Sequence, residues 1–117
     1  MKAIQVNKFG GPEVLQVVEI PEPVPGAREV RVRVHAAGVN PNEAYARTGT
    51  YGAYIPELPY TPGFDGAGVV DALGEDVTHV KVGDRVYIGG FMAKRNTGTY
   101  AEKVVVDATS VHPLTDA

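Results

Sequence analysis

Glycine and proline are scattered along the whole chain, 14 and 9 of them, and they cut its apolar residues into short runs. That spacing disfavours long helices and fits many short strands joined by turns, since glycine weakens a helix and proline breaks one. At 117 residues the chain holds one domain at most. Residues 29–36 give the clearest strand. Val30, Val32 and Val34 point to one side, and Arg31, Arg33 and His35 to the other. A period of two with a β-branched face means that one side is buried.

Further strands are read over residues 3–6 and 15–20, joined by a turn at 8–12. Pro21, Pro23 and Pro25 make the next connection extended. A buried strand fits residues 67–72, and Lys81-Val82-Gly83-Asp84 is turn chemistry leading into a strand at 85–88. Residues 89–98 read as a polar, mobile loop and 100–106 as a final alternating strand. One helix is expected. Asn40 suits its N-cap, Pro41 its first position and Glu43 the reciprocal capping position. Glu43 and Arg47 are spaced for an i,i+4 pair, and the helix should stop near Gly49. The expected fold is mainly β, a small, partly open β-barrel of six or seven strands with one or two short helices.

Composition removes several functions. A net charge of −3 leaves no basic surplus to neutralise phosphates, so neither a nucleic-acid nor a membrane partner is expected. The chain has no cysteine, which removes disulfides, thiolate metal sites and cysteine nucleophiles and fits a cytoplasmic location. No apolar run suits a signal peptide or a membrane span. Ser110 is the only serine and lacks a nucleophile elbow. His35, His79 and His112 have no metal-ligand spacing and read as surface or capping residues. Gly66-Ala67-Gly68 lacks the third glycine of a dinucleotide fingerprint and precedes a strand, so it reads as tight turns and close backbone packing.

The positive feature is the stretch 40–62, which carries Tyr45, Tyr51, Tyr54 and Tyr60 among glycines and prolines. Tyrosines in a loop offer stacking faces and hydroxyls, and a tyrosine can donate a proton. The competing reading, which spacing alone favours, is that they pack the loop onto the barrel.

Five segments in register resemble one family: Phe9-Gly10-Gly11-Pro12-Glu13-Val14-Leu15, Ala37-Gly38-Val39-Asn40-Pro41, Tyr60-Thr61-Pro62-Gly63-Phe64-Asp65-Gly66-Ala67-Gly68-Val69-Val70, Val82-Gly83-Asp84-Arg85-Val86 and Gly98-Thr99-Tyr100-Ala101-Glu102. They are similar to the N-terminal half of zeta-crystallin-like quinone oxidoreductases, a zinc-free branch of the medium-chain dehydrogenase/reductase superfamily. The resemblance implies a GroES-like catalytic domain that packs against a Rossmann domain, with NADPH in the cleft between them. On that reading residues 1–117 are the catalytic domain, the Rossmann domain lies outside this chain, and the chain alone is inactive. The full-length protein would be a homodimer. Zinc-dependent relatives place a cysteine where this chain has Asn40 and His-Glu where it has Phe64-Asp65, so no zinc is expected.

The resemblance also implies residue roles. Asn40 would lie beside the nicotinamide and bind the cofactor, and Tyr45 would line the cofactor and substrate cleft as a cofactor-binding and catalytic residue. Tyr51 would sit near the cleft mouth as a catalytic and substrate-binding residue, and Phe64 would add an apolar substrate wall. Asp65 reads as a turn or capping carboxylate. The implied reaction is hydride transfer from NADPH to a quinone or another electron-poor small molecule. Gly49-Thr50-Tyr51-Gly52 with Pro56-Glu57-Leu58-Pro59 also resembles mitochondrial-type 2-enoyl thioester reductases, in which Tyr51 would be the proton donor. A third reading, of another class, is a non-catalytic binding or structural domain.

Overall fold

A computed structural model describes residues 1–89 and 96–115. Seven strands are present among them: β1 (Lys2–Val6), β2 (Leu15–Glu19), β3 (Glu29–Ala37), β4 (Gly66–Leu73), β5 (Arg85–Ile88), β6 (Lys103–Asp107) and β7 (Val111–Pro113). One α-helix, α1 (Pro41–Thr48), and two short 3-10 turns complete the set. The mainly β expectation with few short helices holds. Most of the loop expected at 89–98 lies outside the described residues.

The strands form two open sheets. A two-stranded sheet pairs β1 with β2, and a five-stranded antiparallel sheet runs in the order β6-β3-β4-β5-β7. Isolated bridges from Ala3 to Ala101 and from Val6 to Tyr60 tie the small sheet to the rest. The core sits on one face of the large sheet. Val30 and Val32 of β3, Val70 of β4, Val86 and Ile88 of β5, Val104 and Val106 of β6, and Val111 of β7 bury against one another. The alternation read over β3 accounts for its two valines. Val34, expected on the same face, is only partly buried at the edge of this cluster.

Two readings need correction. The last long strand is Lys103–Asp107, and its three central valines are all buried, so it does not alternate. A strand placed between packed layers loses the polar face on which a period of two depends. The chain then adds β7, too short for its three residues to show a pattern. Residues 66–68 lie inside β4 rather than in turns. The close packing expected of them does occur, because a Cβ on Gly68 would run into the Arg33 carbonyl of the neighbouring strand.

Of the outward residues of β3, Arg31 is held by charge. Arg31 Nε donates to Asp71 Oδ1 at 2.8 Å, and Lys103 Nζ lies 3.0 Å from both Asp71 Oδ2 and Glu22 Oε1. Burial alone would raise the Asp71 carboxyl, but hydrogen bonds from Arg31 and Lys103, with their charges, hold it below the ordinary carboxylate range. Arg31 also donates to the Pro23 carbonyl, fastening the proline-rich connection to the sheet.

A candidate cofactor and substrate wall

Helix α1 begins as its sequence requires. Asn40 has extended backbone angles, Pro41 follows at the first helical position, and Asn40 and Glu43 face each other as a capping box. The helix ends at Gly49, whose φ of 77° is left-handed and so suits glycine. The expected Glu43–Arg47 pair is not made. Arg47 Nε instead donates to the Gly10 carbonyl at 3.2 Å, while Gly10 N–H donates to the Arg47 carbonyl at 3.0 Å. These two bonds fix the helix to the turn between β1 and β2.

Freed from Arg47, Glu43 points inward and is only 6% exposed. Its Oε1 accepts the Asn40 backbone N–H at 2.9 Å and the Tyr100 hydroxyl at 2.6 Å. Its Oε2 accepts the Asn40 side-chain amide at 2.9 Å. The same amide nitrogen donates to Asp65 Oδ1 at 3.3 Å. Burial, the hydrogen bond to Glu43 and the charges of Glu43 and Asp65 all push the Tyr100 hydroxyl pKa up. Backbone contacts fix this network. Ile4 N–H donates to the Tyr100 carbonyl at 2.8 Å, Tyr100 N–H to the Pro62 carbonyl at 2.9 Å, and Thr99 Oγ1 to the Asp65 carbonyl at 2.8 Å.

Next to it lies an aromatic group. Tyr45 and Tyr51 are stacked, with ring centroids 6.5 Å apart and planes 20° from parallel. Tyr51 lies 6.1 Å from Tyr54 and 6.2 Å from Phe64, and Tyr54 meets Phe64 edge-on at 5.5 Å. Edge-on and offset rings are the favoured arrangements. Tyr45 is 56% exposed and Tyr51 38%. Tyr60 differs from them. It is buried with Val6 and Val14, its hydroxyl has no hydrogen-bond partner among the described residues, and burial pushes that hydroxyl up to about 12. The packing reading of the tyrosines thus holds for Tyr60; Tyr51 and Tyr54 also pack on Phe64, and Tyr45 is the most open of the four.

All four residues singled out in the sequence are brought to this end of the molecule. Tyr45, Tyr51 and Phe64 form one wall, and Asn40 caps the helix that carries Tyr45. Sequence reasoning missed Tyr54 as part of the wall and the polar pair Glu43–Tyr100 behind Asn40. Glu43 had a signal in its capping position. Tyr100 had none, since it meets Glu43 across 57 residues. Asp65, read as a turn or capping carboxylate, instead accepts the Asn40 side-chain amide.

The histidines take bland places. The His79 ring lies 3.0 Å from the Val111 carbonyl, and the His112 ring packs on Tyr87. Among the described residues no group of three or more His, Cys, Asp or Glu could hold a metal ion, and no helix is long and apolar enough to cross a membrane.

A mainly β domain with a capped helix beside a glycine-rich strand end defines a fold class shared with known proteins. The sequence matches the alcohol dehydrogenase GroES-like domain family over residues 26–116, and the chain belongs to that family. It is 45% identical over 115 residues to the quinone oxidoreductase of Homo sapiens, covering 97% of this chain and 33% of that protein. Among solved structures, a Pseudomonas syringae quinone oxidoreductase is similar with a TM-score of 0.87 and 41% identity, over 99% of this chain and 34% of that one. The Escherichia coli quinone oxidoreductase complexed with NADPH is similar with a TM-score of 0.87 and 36% identity, over 98% of this chain and 33% of that one. The chain spans about a third of the length of these relatives.

Proposed function

We propose that this chain is the substrate-side domain of an NADPH-dependent quinone reductase that works without zinc. The observation that carries the reading is the half-exposed wall of Tyr45, Tyr51 and Phe64 set beside a fixed amide at Asn40. Tyr45, Tyr51, Tyr54 and Phe64 form a contiguous ring cluster with Tyr45 on its open side, a surface that suits a planar ligand. Similarity to quinone oxidoreductases, one of them an NADPH complex, supports the same reading.

The residues fit a nicotinamide. Asn40 offers an amide to its carboxamide, and Tyr45 offers a ring face. Bound NADPH would supply the hydride. The chain's own residues would orient the ring through Asn40 and Tyr45, seat the acceptor against Tyr51 and Phe64, and keep water from the reacting atoms. A quinone gains two electrons with the hydride and becomes a stabilised phenolate-type anion, so little acid assistance is needed. The positions that hold zinc ligands in the metal-dependent branch carry Asn40, Phe64 and Asp65 here, and Asn40 and Asp65 hydrogen-bond to each other. The nucleotide-binding domain would lie elsewhere in the full-length protein, which would be a cytoplasmic homodimer.

The exposed Tyr51 hydroxyl keeps enoyl thioester reduction as a second reading, with Tyr51 protonating the α-carbon. NADPH consumption by the full-length protein separates the two. Turnover of an ortho-quinone, insensitive to Tyr51→Phe in its proton-transfer step, is expected. Turnover of an enoyl thioester alone, abolished by Tyr51→Phe, would replace the quinone.

A further inference from the structure

We propose that Glu43 is a positioning residue whose buried carboxylate locks the Asn40 side-chain amide in one orientation, so that Asn40 meets the cofactor only as a hydrogen-bond acceptor. This rests on the reading that Asn40 lies beside the nicotinamide.

The argument starts from donor counting. An ionised carboxylate only accepts, and an amide nitrogen has two hydrogens to give. Asn40 Nδ2 lies 2.9 Å from Glu43 Oε2 and 3.3 Å from Asp65 Oδ1. Two acceptor-only groups therefore use both of its hydrogens. The reverse orientation would set Asn40 Oδ1 against two carboxylates, which is repulsive, so the network itself fixes the amide. Glu43 is in turn held. Tyr100 donates to it from β6's approach and the Asn40 backbone N–H from the helix start, at 2.6 and 2.9 Å. With Arg47 turned to Gly10, these hydrogen bonds are what make a buried carboxylate tolerable.

A ligand can then reach Asn40 only through Oδ1. The Glu43 N–H reaches the Asn40 backbone carbonyl at 3.2 Å, so a lone pair of the Asn40 amide oxygen is left for a ligand. The nicotinamide carboxamide has an N–H and a C=O, and only its N–H can pair there. Discrimination would follow against a cofactor whose ring substituent has the C=O but no N–H. The lock is electrostatic rather than steric. Glu43→Gln keeps the shape and an acceptor for Tyr100, but its NH2 can face Asn40 Oδ1 and let the amide turn over.

The test is a fluorescence titration of the full-length reductase with NADPH and with its reduced 3-acetylpyridine analogue, whose acetyl group has no N–H. The wild type is expected to bind NADPH about tenfold more tightly, the value of one buried hydrogen bond. Glu43→Gln should bring that ratio close to one. Asp65→Asn, which removes one of the two acceptor-only groups and leaves Glu43 in place, should lower it by less, and it carries the test if Glu43→Gln does not fold. A ratio unchanged in both variants would overturn the role of Glu43 and leave Asn40 at the nicotinamide. A ratio near one in the wild type, with Asn40→Ala binding NADPH normally, would overturn it by removing Asn40 from the cofactor site.

Discussion

In the large sheet, Val30 and Val32 of β3 are fully buried, and Val70, Val86, Val106 and Val111 pack around them. A few residues further along the same chain, Val39 is 85% exposed, Tyr45 points into the open and the carboxylate of Glu43 is buried instead. The sheet's valines follow the ordinary sorting of apolar side chains inward, although Tyr87 of β5 stays 46% exposed. The helix–loop end inverts it, burying a charge and exposing rings. Natural chains break such rules where a function requires it. The contrast divides the molecule into a part that holds the fold and a part that the proposed function assigns to a ligand.

Substitutions can break or sharpen that division. Val32→Ala removes two methyl groups from a fully buried position and should cost about 2–3 kcal/mol in urea unfolding. A much smaller loss would mean that the sheet is not the seat of stability. Asn40→Ala removes a helix cap and should cost about 1 kcal/mol, while NADPH affinity of the full-length protein falls. Loss of stability with unchanged affinity would reduce Asn40 to a cap.

Asp71→Asn should cost about 1 kcal/mol at neutral pH, since Asp71 accepts from Arg31 and Lys103. Its folded pKa is lowered, so its contribution is present above the unfolded value of about 4 and is lost as pH falls through the folded value. The gap between wild type and variant, read from urea midpoints, should close on acidification. A gap independent of pH would show that the carboxylate's charge is not what the sheet uses. Tyr60→Phe is the smallest change. It deletes a buried hydroxyl without a partner among the described residues, and stability should stay the same or rise by about 0.5 kcal/mol. A clear loss would reveal a partner for that hydroxyl.

Legibility in the sequence follows the same division. The strand at β3 and helix α1 were readable because burial on one face and capping leave local signatures: valines at every second position, and Asn40, Pro41, Glu43 and Gly49 at fixed offsets. β6 was misread as alternating because burial on both faces erases the period. The i,i+4 pair failed because a long-range donor, Tyr100, together with Asn40, satisfied Glu43 better than Arg47 could in water. Tyr45, Tyr51, Tyr54 and Tyr60 could not be sorted by spacing, since Tyr60 alone is tied through its backbone to Val6 of β1. Only contacts across the fold sort them: Tyr45, Tyr51 and Tyr54 meet ring to ring, and Tyr60 packs on Val6 and Val14.

The most direct test of the division is to measure stability and quinone reduction together in the full-length protein carrying Tyr45→Ala and Tyr51→Ala, which removes the two stacked rings. Both rings are partly exposed, so unfolding should change by about 1 kcal/mol or less, while kcat/KM for an ortho-quinone falls about tenfold or more. A destabilised protein with unchanged kinetics would contradict the account, because the two tyrosines would then belong to the fold and not to the site.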